Sequence, residues 1–381
     1  MNESPLQLIT YNLIRYTMLL SIHYLRGLAS LFVVMYHYKS TLNNIYNQKD
    51  LGDILFNGAF FGVDLFFMIS GFVIVLSTRK DSNLVSFFAK RAFKIYPVYI
   101  SLLLTWVILH INNTPSIDEI FRSLFFVHLD YAKSAPWFGY SVINTAWTLT
   151  YEILFYMLFS LGLVISHKYR TLMSSLIIIS FFVGINYYYN SDISFNVYSS
   201  VGNENTSGII KLLSSPFMLE FVYGMIVCEI YILSQSKNNK SNKSNLKSIF
   251  ISAGLIIFAL CFFKGNIMHG PLSIGIPCLL LISAFVAYEK SCKLKEIKPL
   301  MILGNISYPL YLIHLLVSGY MYEIKDTFPF YGELHGFTRL CFLLFLSIFL
   351  AYIVHVTIEK PASSLARIVI NKTSLKKPSS I

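Results

Sequence analysis

Runs of about 20 apolar residues recur along the whole chain, and this pattern limits what the chain can fold into. A helix of about 20 such residues crosses the ~30 Å hydrocarbon core of a membrane. Of the 381 residues, 55% are hydrophobic and 13% are charged, whereas a soluble domain has roughly a quarter of its residues charged. A large soluble protein is therefore a poor fit. The sequence predicts an all-α fold, a polytopic membrane bundle of about ten transmembrane helices.

The apolar runs give the predicted organisation of the chain. The ten predicted spans cover residues 20–40, 54–77, 86–111, 145–165, 171–189, 212–233, 248–265, 271–288, 301–321 and 337–357. We expect one membrane domain over residues 1–362 and a short, disordered cytoplasmic tail over 363–381. The five cysteines lie in or beside apolar runs without the spacing of metal ligands, so no metal site is expected.

Lysine and arginine are distributed unequally between the two sides of the predicted bundle. One set of alternating loops, together with the C-terminal tail, holds 19 of the 30 basic residues, and the opposite set holds eight. Basic loops stay in the cytoplasm, so both termini are predicted to be cytoplasmic. The net charge of +11 suits anionic membrane lipids as partners. Nucleic acid is not an expected partner, because the basic residues are scattered among short loops.

The first span contains an arginine and a histidine, Arg26 and His37, with ten residues between them. Eleven steps of about 100° end about 20° from a whole number of turns, so both side chains share one face, about 16 Å apart along the axis. Arg26 alone could be an arginine that reaches to the membrane interface, and a single histidine near a helix end is commonly structural. The pair on one face favours a functional role.

Three further spans carry polar residues at a depth similar to that of His37: Asp64, Glu152 and His314. A mid-span aspartate costs about 3 kcal/mol on insertion, so such residues usually face the bundle interior and mark function. An aspartate hydrogen-bonded to a neighbouring helix is the structural alternative. Two histidines and two carboxylates at one level, in the middle to outer half, favour a general acid–base site.

A basic group is predicted at the inner end of the bundle. Arg91 and Lys94 open the third span at i, i+3 and share a face, and Arg26 lies at the same depth. The bias of basic residues towards the cytoplasm would explain them without any ligand. The alternative is an anion site that holds the phosphates of a cytosolic molecule. The first span would then link an inner binding site to an outer acid–base site.

Five motifs occur in a characteristic order: Arg26 and His37 at their spacing, then "FFGVDLFFMISGF", "RAFKIYPVY", "WTLTYEILFY" and "SYPLYLIHL". This series, over about residues 23–360, resembles the acyltransferase type 3 family of bacterial integral-membrane O-acyltransferases that acetylate surface sugars. The resemblance implies that His37 acts as the base, that Arg26 is functional, and that acetyl-CoA is the donor. Glu152 matches the family's acidic position. Lys94 stands where many members have arginine, and lysine lacks the bidentate phosphate contact.

The function expected from residues and resemblance together is an acyl-CoA-dependent O-acyltransferase, in the first instance an O-acetyltransferase, of the bacterial inner membrane. Its acceptor would be a cell-surface polysaccharide or a lipid-linked sugar. Acetyl-CoA would dock near the basic group, and Glu152 or Asp64 would orient the ring of His37, with His314 as a further candidate. The alternative is a secondary transporter or flippase of a sugar-linked substrate, which also needs charges within the membrane.

Overall fold

The computed structural model of the protein describes residues 19–111, 114–236, 244–263, 267–292 and 294–374. Over these ranges the chain is built from helices and their connections, with no strand. Ten long helices correspond to the ten predicted spans: α1 (Leu20–Tyr38), α2 (Gly62–Ser77), α3 (Leu84–Leu109), α4 (Trp147–Ile165), α5 (Arg170–Asn190), α6 (Phe217–Ser236), α7 (Ser244–Phe263), α8 (Gly275–Ser291), α9 (Lys298–Glu323) and α10 (Gly336–Val354). The predicted all-α bundle is confirmed.

Seven helical stretches in the described part of the chain are long and apolar enough to cross a membrane. One is Leu51–Ser77, in which a short helix and a 3₁₀ turn lead into α2. The three predicted spans outside this set are α1, α7 and α8. Helix α8 has 17 residues, or about 25 Å, which is shorter than the membrane core. Helix α1 carries Arg26 and several polar residues, which are accommodated because it packs inside the bundle.

The C-terminal segment differs from its prediction. Helix α10 continues through a π-helical turn, His355–Glu359, into a final helix α11, Lys360–Ser374. Residues 363–374 are therefore helical, and the expectation of disorder was wrong for them. The π turn keeps the backbone hydrogen-bonded, so the helix continues beyond residue 357, where the predicted span ends. Residues 375–381 lie outside the described part of the chain.

Two pairs of helices approach closely at glycines. A Cβ on Gly27 of α1 would lie 2.6 Å from the backbone nitrogen of Gly304 on α9. Between α2 and α6, a Cβ on Gly71 or Gly224 would overlap the backbone of the other helix. Small residues of this kind allow membrane helices to pack backbone against backbone. The α1–α9 contact matters most for function, because both helices carry site residues.

The two ends of the bundle differ in charge, and we name them accordingly. The basic end is the one at which α1 begins, and its loops and helix ends carry Arg79, Lys80, Lys90, Lys168 and Lys290. The opposite end is the one at which α1 ends. At the basic end the first backbone N–H groups of α1 donate to the carboxylate of Glu289 at 2.9 Å each, which satisfies donors that the helix itself leaves unpaired.

Candidate active site

Helices α1, α2, α3, α4 and α9 enclose a cavity of about 130 Å³, close to the volume that holds one benzene ring. Its wall consists of apolar and aromatic side chains, hydroxyls and charged groups: Arg26, Val63, Phe66, Phe67, Ile69, Ser70, Val73, Arg91, Lys94, Ile95, Thr148, Leu149, Glu152, Tyr156, Ser307, Tyr308 and Tyr311. The basic group predicted from the sequence thus lines a single cavity. Apolar walls with a few convergent polar groups are typical of small-molecule sites.

The two arginines of the cavity are only partly satisfied. Arg26 donates from Nη2 to the carbonyl oxygen of Gly304 at 2.8 Å, and Arg91 donates from Nη2 to Ser77 Oγ at 2.9 Å. The guanidinium of Arg91 also lies over the ring of Tyr156, 5.3 Å from its centroid. In the described structure the buried Nε of each arginine has no hydrogen-bond partner. Each guanidinium group therefore carries a buried N–H that the protein leaves unpaired.

Lys94 is held by a carboxylate that the sequence analysis did not identify. Its Nζ forms an ion pair with Glu359 in the π turn. The side chain of Glu359 is 1% exposed and also accepts a hydrogen bond from His355 Nδ1 at 2.7 Å. The sequence contained a signal for Glu359, because His355 and Glu359 stand at i, i+4 at the end of the last apolar run. The rule that selected Asp64 applies to them equally.

Glu152 lies in the same cavity as the three cations. Its Oε1 accepts hydrogen bonds from Ser70 Oγ at 2.8 Å and from the Tyr156 hydroxyl, and no partner of Oε2 lies in the described part of the chain. The expectation that Glu152 stands beside His37 and orients its ring was wrong. Its side chain points into the cavity and bonds to Ser70, which lies six residues, or about 9 Å, along α2 from Asp64, so the expectation of a common depth for the two carboxylates was wrong as well.

The cavity continues towards the basic end. A second, smaller recess of about 10 Å³ is lined by Ser77, Thr78, Asp81, Phe87, Lys90 and Arg91. Arg91 belongs to both walls, so it stands between the cavity and the loops at the basic end. An anionic group that enters from this end meets Lys90 and Arg91 first.

His37 and His314 form a hydrogen-bonded pair towards the opposite end of the cavity. His314 Nε2 lies 3.1 Å from His37 Nδ1, and the ring centroids are 4.9 Å apart. His314 is fully buried, while His37 is exposed. Arg26 and His37 thus both contact α9, at Gly304 and His314, which confirms that they share a face.

Hydrogen bonds to backbone carbonyl oxygens show which nitrogen of each histidine ring carries the hydrogen. His314 Nδ1 lies 3.2 Å from the carbonyl oxygen of Leu310, so it carries the hydrogen and leaves Nε2 as an acceptor. His37 Nδ1 lies 2.9 Å from the carbonyl oxygen of Val33 as well as near His314 Nε2, and it donates to these two acceptors. The Nε2 of His37 is then an unprotonated nitrogen on an exposed ring, as a general base requires.

The cavity and the histidine pair are neighbours along α9. Tyr311 lines the cavity, and its ring centroid is 6.2 Å from that of His314. The Tyr311 hydroxyl lies 3.1 Å from Thr148 Oγ1, across from α9 to α4. One helical turn, about 5 Å, therefore separates the end of the cavity from the histidines.

Asp64 does not contact His37 either, so the expectation that Asp64 orients the ring of His37 was wrong. Asp64 is fully buried, and its Oδ2 lies 2.6 Å from His269 Nδ1. Its Oδ1 accepts a hydrogen bond from the backbone nitrogen of Gly270 at 2.9 Å. The aspartate thus fixes the connection between α7 and α8. His269 was not identified from sequence, because it lies in a connection where periodicity gives no information on direction.

The fold and the site together define a class of protein. A helical membrane bundle holds a cationic cavity, and an exposed histidine with an unprotonated nitrogen lies one turn beyond it, as in a membrane-embedded group-transfer enzyme. The chain belongs to the acyltransferase 3 family, whose model, described as an acyltransferase domain, matches residues 19–356. The resemblance seen in the sequence is confirmed, and the protein is an acyltransferase rather than a transporter.

The chain is similar to several characterised proteins. It is 28% identical over 265 residues to the exopolysaccharide production protein ExoZ of Rhizobium meliloti, and the aligned region covers 66% of this chain and 74% of ExoZ. It is 24% identical over 340 residues to the O-acetyltransferase OatA of Staphylococcus aureus, and the aligned region covers 81% of this chain and 52% of OatA. The chain therefore spans about half the length of OatA. No solved structure matches it.

Proposed function

We propose that this protein is an acyl-CoA-dependent O-acetyltransferase of a cell-surface polysaccharide or a lipid-linked sugar. The names of the two relatives support the acyl group and the acceptor, since one is an O-acetyltransferase and the other acts in exopolysaccharide production. The observation that carries the proposal is the cavity itself. It joins cations near the basic end to the histidine pair one helical turn beyond its far side.

The size of the cavity limits how much of acetyl-CoA it accepts. A volume of about 130 Å³ holds about one benzene ring, so it suits one segment of the thin acyl-pantetheine arm and not a nucleotide. The adenosine and its phosphates then stay towards the basic end, where Lys90 and Arg91 line the smaller recess. Arg26 and Lys94 lie deeper and favour entry of the anionic donor through their charge.

Glu152 is assigned to the donor in this proposal. Its Oε1 is held by Ser70 and Tyr156, so the position of Oε2 is fixed as well. A fixed carboxylate oxygen in an apolar cavity accepts the N–H of a pantetheine amide. The carboxylate also offsets part of the positive charge of Arg26 and Arg91, since isolated charges are costly in such a site.

His37 is the general base in the proposed reaction. The hydroxyl oxygen of the sugar attacks the thioester carbonyl carbon while His37 Nε2 takes the hydroxyl proton. The C–O bond forms, the C–S bond breaks, and the leaving CoA thiolate receives the proton back from the imidazolium. Both acceptors of Nδ1, Val33 and His314, stay in place as the ring gains its charge. In this proposal His314 orients the ring of His37, the role that was expected of a carboxylate.

The basic end faces the cytoplasm of a bacterial cell in this proposal, as the distribution of lysine and arginine predicts. After all five native cysteines have been replaced, single cysteines are introduced at Ser82 and Ser134. Both positions are exposed, one in the α2–α3 connection and one between α3 and α4. In intact cells an impermeant thiol reagent should label the cysteine at 134 and not the one at 82. The reverse pattern would overturn the orientation.

A transfer assay tests the function directly. Membranes that contain the protein are incubated with acetyl-CoA labelled in the acetyl group and with alkali-treated surface polysaccharide from the producing cells. The expected result is alkali-labile label on the polysaccharide, absent from membranes that lack the protein. Label that never leaves acetyl-CoA, or that is carried by another acyl-CoA only, would contradict the proposal.

A further inference from the structure

Aromatic rings form a continuous chain at the opposite end of the bundle, which we call the ring chain. Adjacent centroids are 5.7 Å apart for Trp137 and Tyr198, 6.4 Å for Tyr198 and His269, 4.6 Å for His269 and Phe60, 6.0 Å for Phe60 and Tyr36, and 5.2 Å for Tyr36 and His37. The chain ends on the proposed base. Its members come from five separate parts of the sequence, so only tertiary packing brings them together.

The ring chain is neither a core nor a set of isolated surface aromatics. Trp137, Tyr198, Phe60 and Tyr36 are half-buried, and His37 is exposed. Each ring thus contacts its neighbours in the chain and keeps part of its surface accessible. Tyrosine and tryptophan in a membrane interface also occupy half-buried positions, but interface residues do not have to contact one another or end on a catalytic histidine.

The ring chain has one fixed polar member. Asp64 accepts from His269 Nδ1 at 2.6 Å, so His269 Nε2 is the free nitrogen of this ring. That nitrogen has no partner in the described structure, and the His269 side chain is 11% exposed. An imidazole nitrogen placed among aromatic faces is a hydrogen-bonding group in an otherwise apolar site.

Positive charge is neutralised in this region. Lys39 lies over the ring of Tyr36, 4.5 Å from its centroid, but its Nζ is paired with Asp53 at 2.9 Å. The ring chain thus offers aromatic faces and an unpaired imidazole nitrogen where the cavity offers guanidinium groups. A neutral ligand with apolar faces and hydroxyl edges fits this chemistry, and an anion does not.

We propose that the ring chain is the acceptor site and that it binds an oligosaccharide, with pyranose C–H faces packed on Trp137 and Tyr198 and a hydroxyl bonded to His269 Nε2. This inference rests on the proposed function and specifies its substrate. Four rings separate Trp137 from His37, so the sugar that packs on Trp137 is not the sugar whose hydroxyl reaches the base. The acceptor therefore occupies at least two subsites and is longer than one sugar.

The test compares acceptors of different length. Purified protein in nanodiscs receives labelled acetyl-CoA and size-fractionated, alkali-treated fragments of the surface polysaccharide. Trp137→Leu and Tyr198→Leu should raise the KM for the longer fragments roughly tenfold and leave the KM for single-sugar fragments and for acetyl-CoA unchanged. Trp137→Phe and Tyr198→Phe keep a ring and should stay close to wild type. The matched control is Tyr188→Leu, an exposed tyrosine at the same end that lies outside the ring chain.

A second measurement does not depend on how well the leucine variants fold. Fragment binding should change the tryptophan fluorescence of the wild type, and Trp137→Phe, which retains Trp106 and Trp147, should lose that change. An equal change in both proteins, or an unaltered KM for long fragments in the leucine variants, would overturn the acceptor site while the proposed function stands. A wild type that transfers acetyl to no glycan fraction would overturn the proposed function and the acceptor site with it.

Discussion

The cavity and the ring chain lie on two sides of the same histidine and have opposite chemistry. The cavity is lined by three cations and the carboxylate of Glu152, and Lys94 is paired with a second carboxylate, that of Glu359. The ring chain consists of half-buried aromatic residues, and the nearby Lys39 is paired with Asp53. Each region suits one of the two substrates of an acyl transfer, an anionic thioester and a neutral sugar.

The difference shows how a membrane protein supports a charged site. Charges within the bilayer are costly unless they are paired, and Glu359 and Glu152 supply the partners of the cavity. Aromatic rings need no such partners, so the ring chain can lie at the margin of the bundle. Helices α1 and α9 join the two regions, because each runs from the cavity to the histidine pair.

The largest expected effect concerns the residue that both regions share. His37→Ala removes the proposed base, so kcat should fall by about 10²- to 10⁴-fold, with both KM values little changed. His110→Ala, a histidine at the same end of the bundle that pairs with Glu323, serves as the control. Transfer at the wild-type rate by His37→Ala, at matched abundance in the membrane, would remove His37 from the mechanism.

Arg91 tests the donor side of the comparison. Arg91→Gln loses a charge-assisted contact worth about 1.5–3 kcal/mol, so the KM for acetyl-CoA should rise about ten- to a hundredfold. The acceptor KM should not move, since Arg91 lies at the basic end of the cavity. Lys290→Gln removes a basic residue at the same end but outside the cavity, and the two variants should differ clearly. Equal donor KM values would mean that Arg91 serves orientation alone.

Glu152 tests whether this carboxylate belongs to the donor side, in the cavity, or to proton transfer at His37. Because its carboxylate lies in the cavity, Glu152→Gln should raise the donor KM, by roughly tenfold or less since the amide oxygen still accepts hydrogen bonds. Steady-state kinetics with both substrates varied separates this from a catalytic role. A fall in kcat with an unchanged donor KM would return Glu152 to the proton-transfer step beside His37.

The smallest expected effect is the coupling between Lys94 and Glu359. Glu359→Gln leaves the charge of Lys94 unpaired, and Lys94→Gln leaves Glu359 with His355 alone, so each should lower the apparent melting temperature. The double variant Lys94→Gln/Glu359→Gln should recover part of that loss, with a coupling on the order of 1 kcal/mol. Strictly additive losses would show that the ion pair does not stabilise the cavity wall.

The sequence by itself determined the helices and the shared face of Arg26 and His37. These properties are local. Hydrophobic run length sets which segments cross the membrane, and the 3.6-residue period sets which side chains of one helix face the same way. Arg91 and Lys94 share a face of α3 for the same reason, whereas Arg26 lies beside them only because the bundle packs α1 and α3 around one cavity.

The tertiary structure alone decided which polar groups meet. Glu152, Asp64 and His37 were predicted at similar depths, yet Glu152 faces the cavity beside Ser70, Asp64 holds His269 and His37 pairs with His314. Which groups meet depends on how each helix is shifted and rotated against its neighbours. That rotation is set by close contacts such as Gly27 against Gly304, between residues 277 positions apart in the chain. Packing at that separation leaves no periodic trace in the sequence.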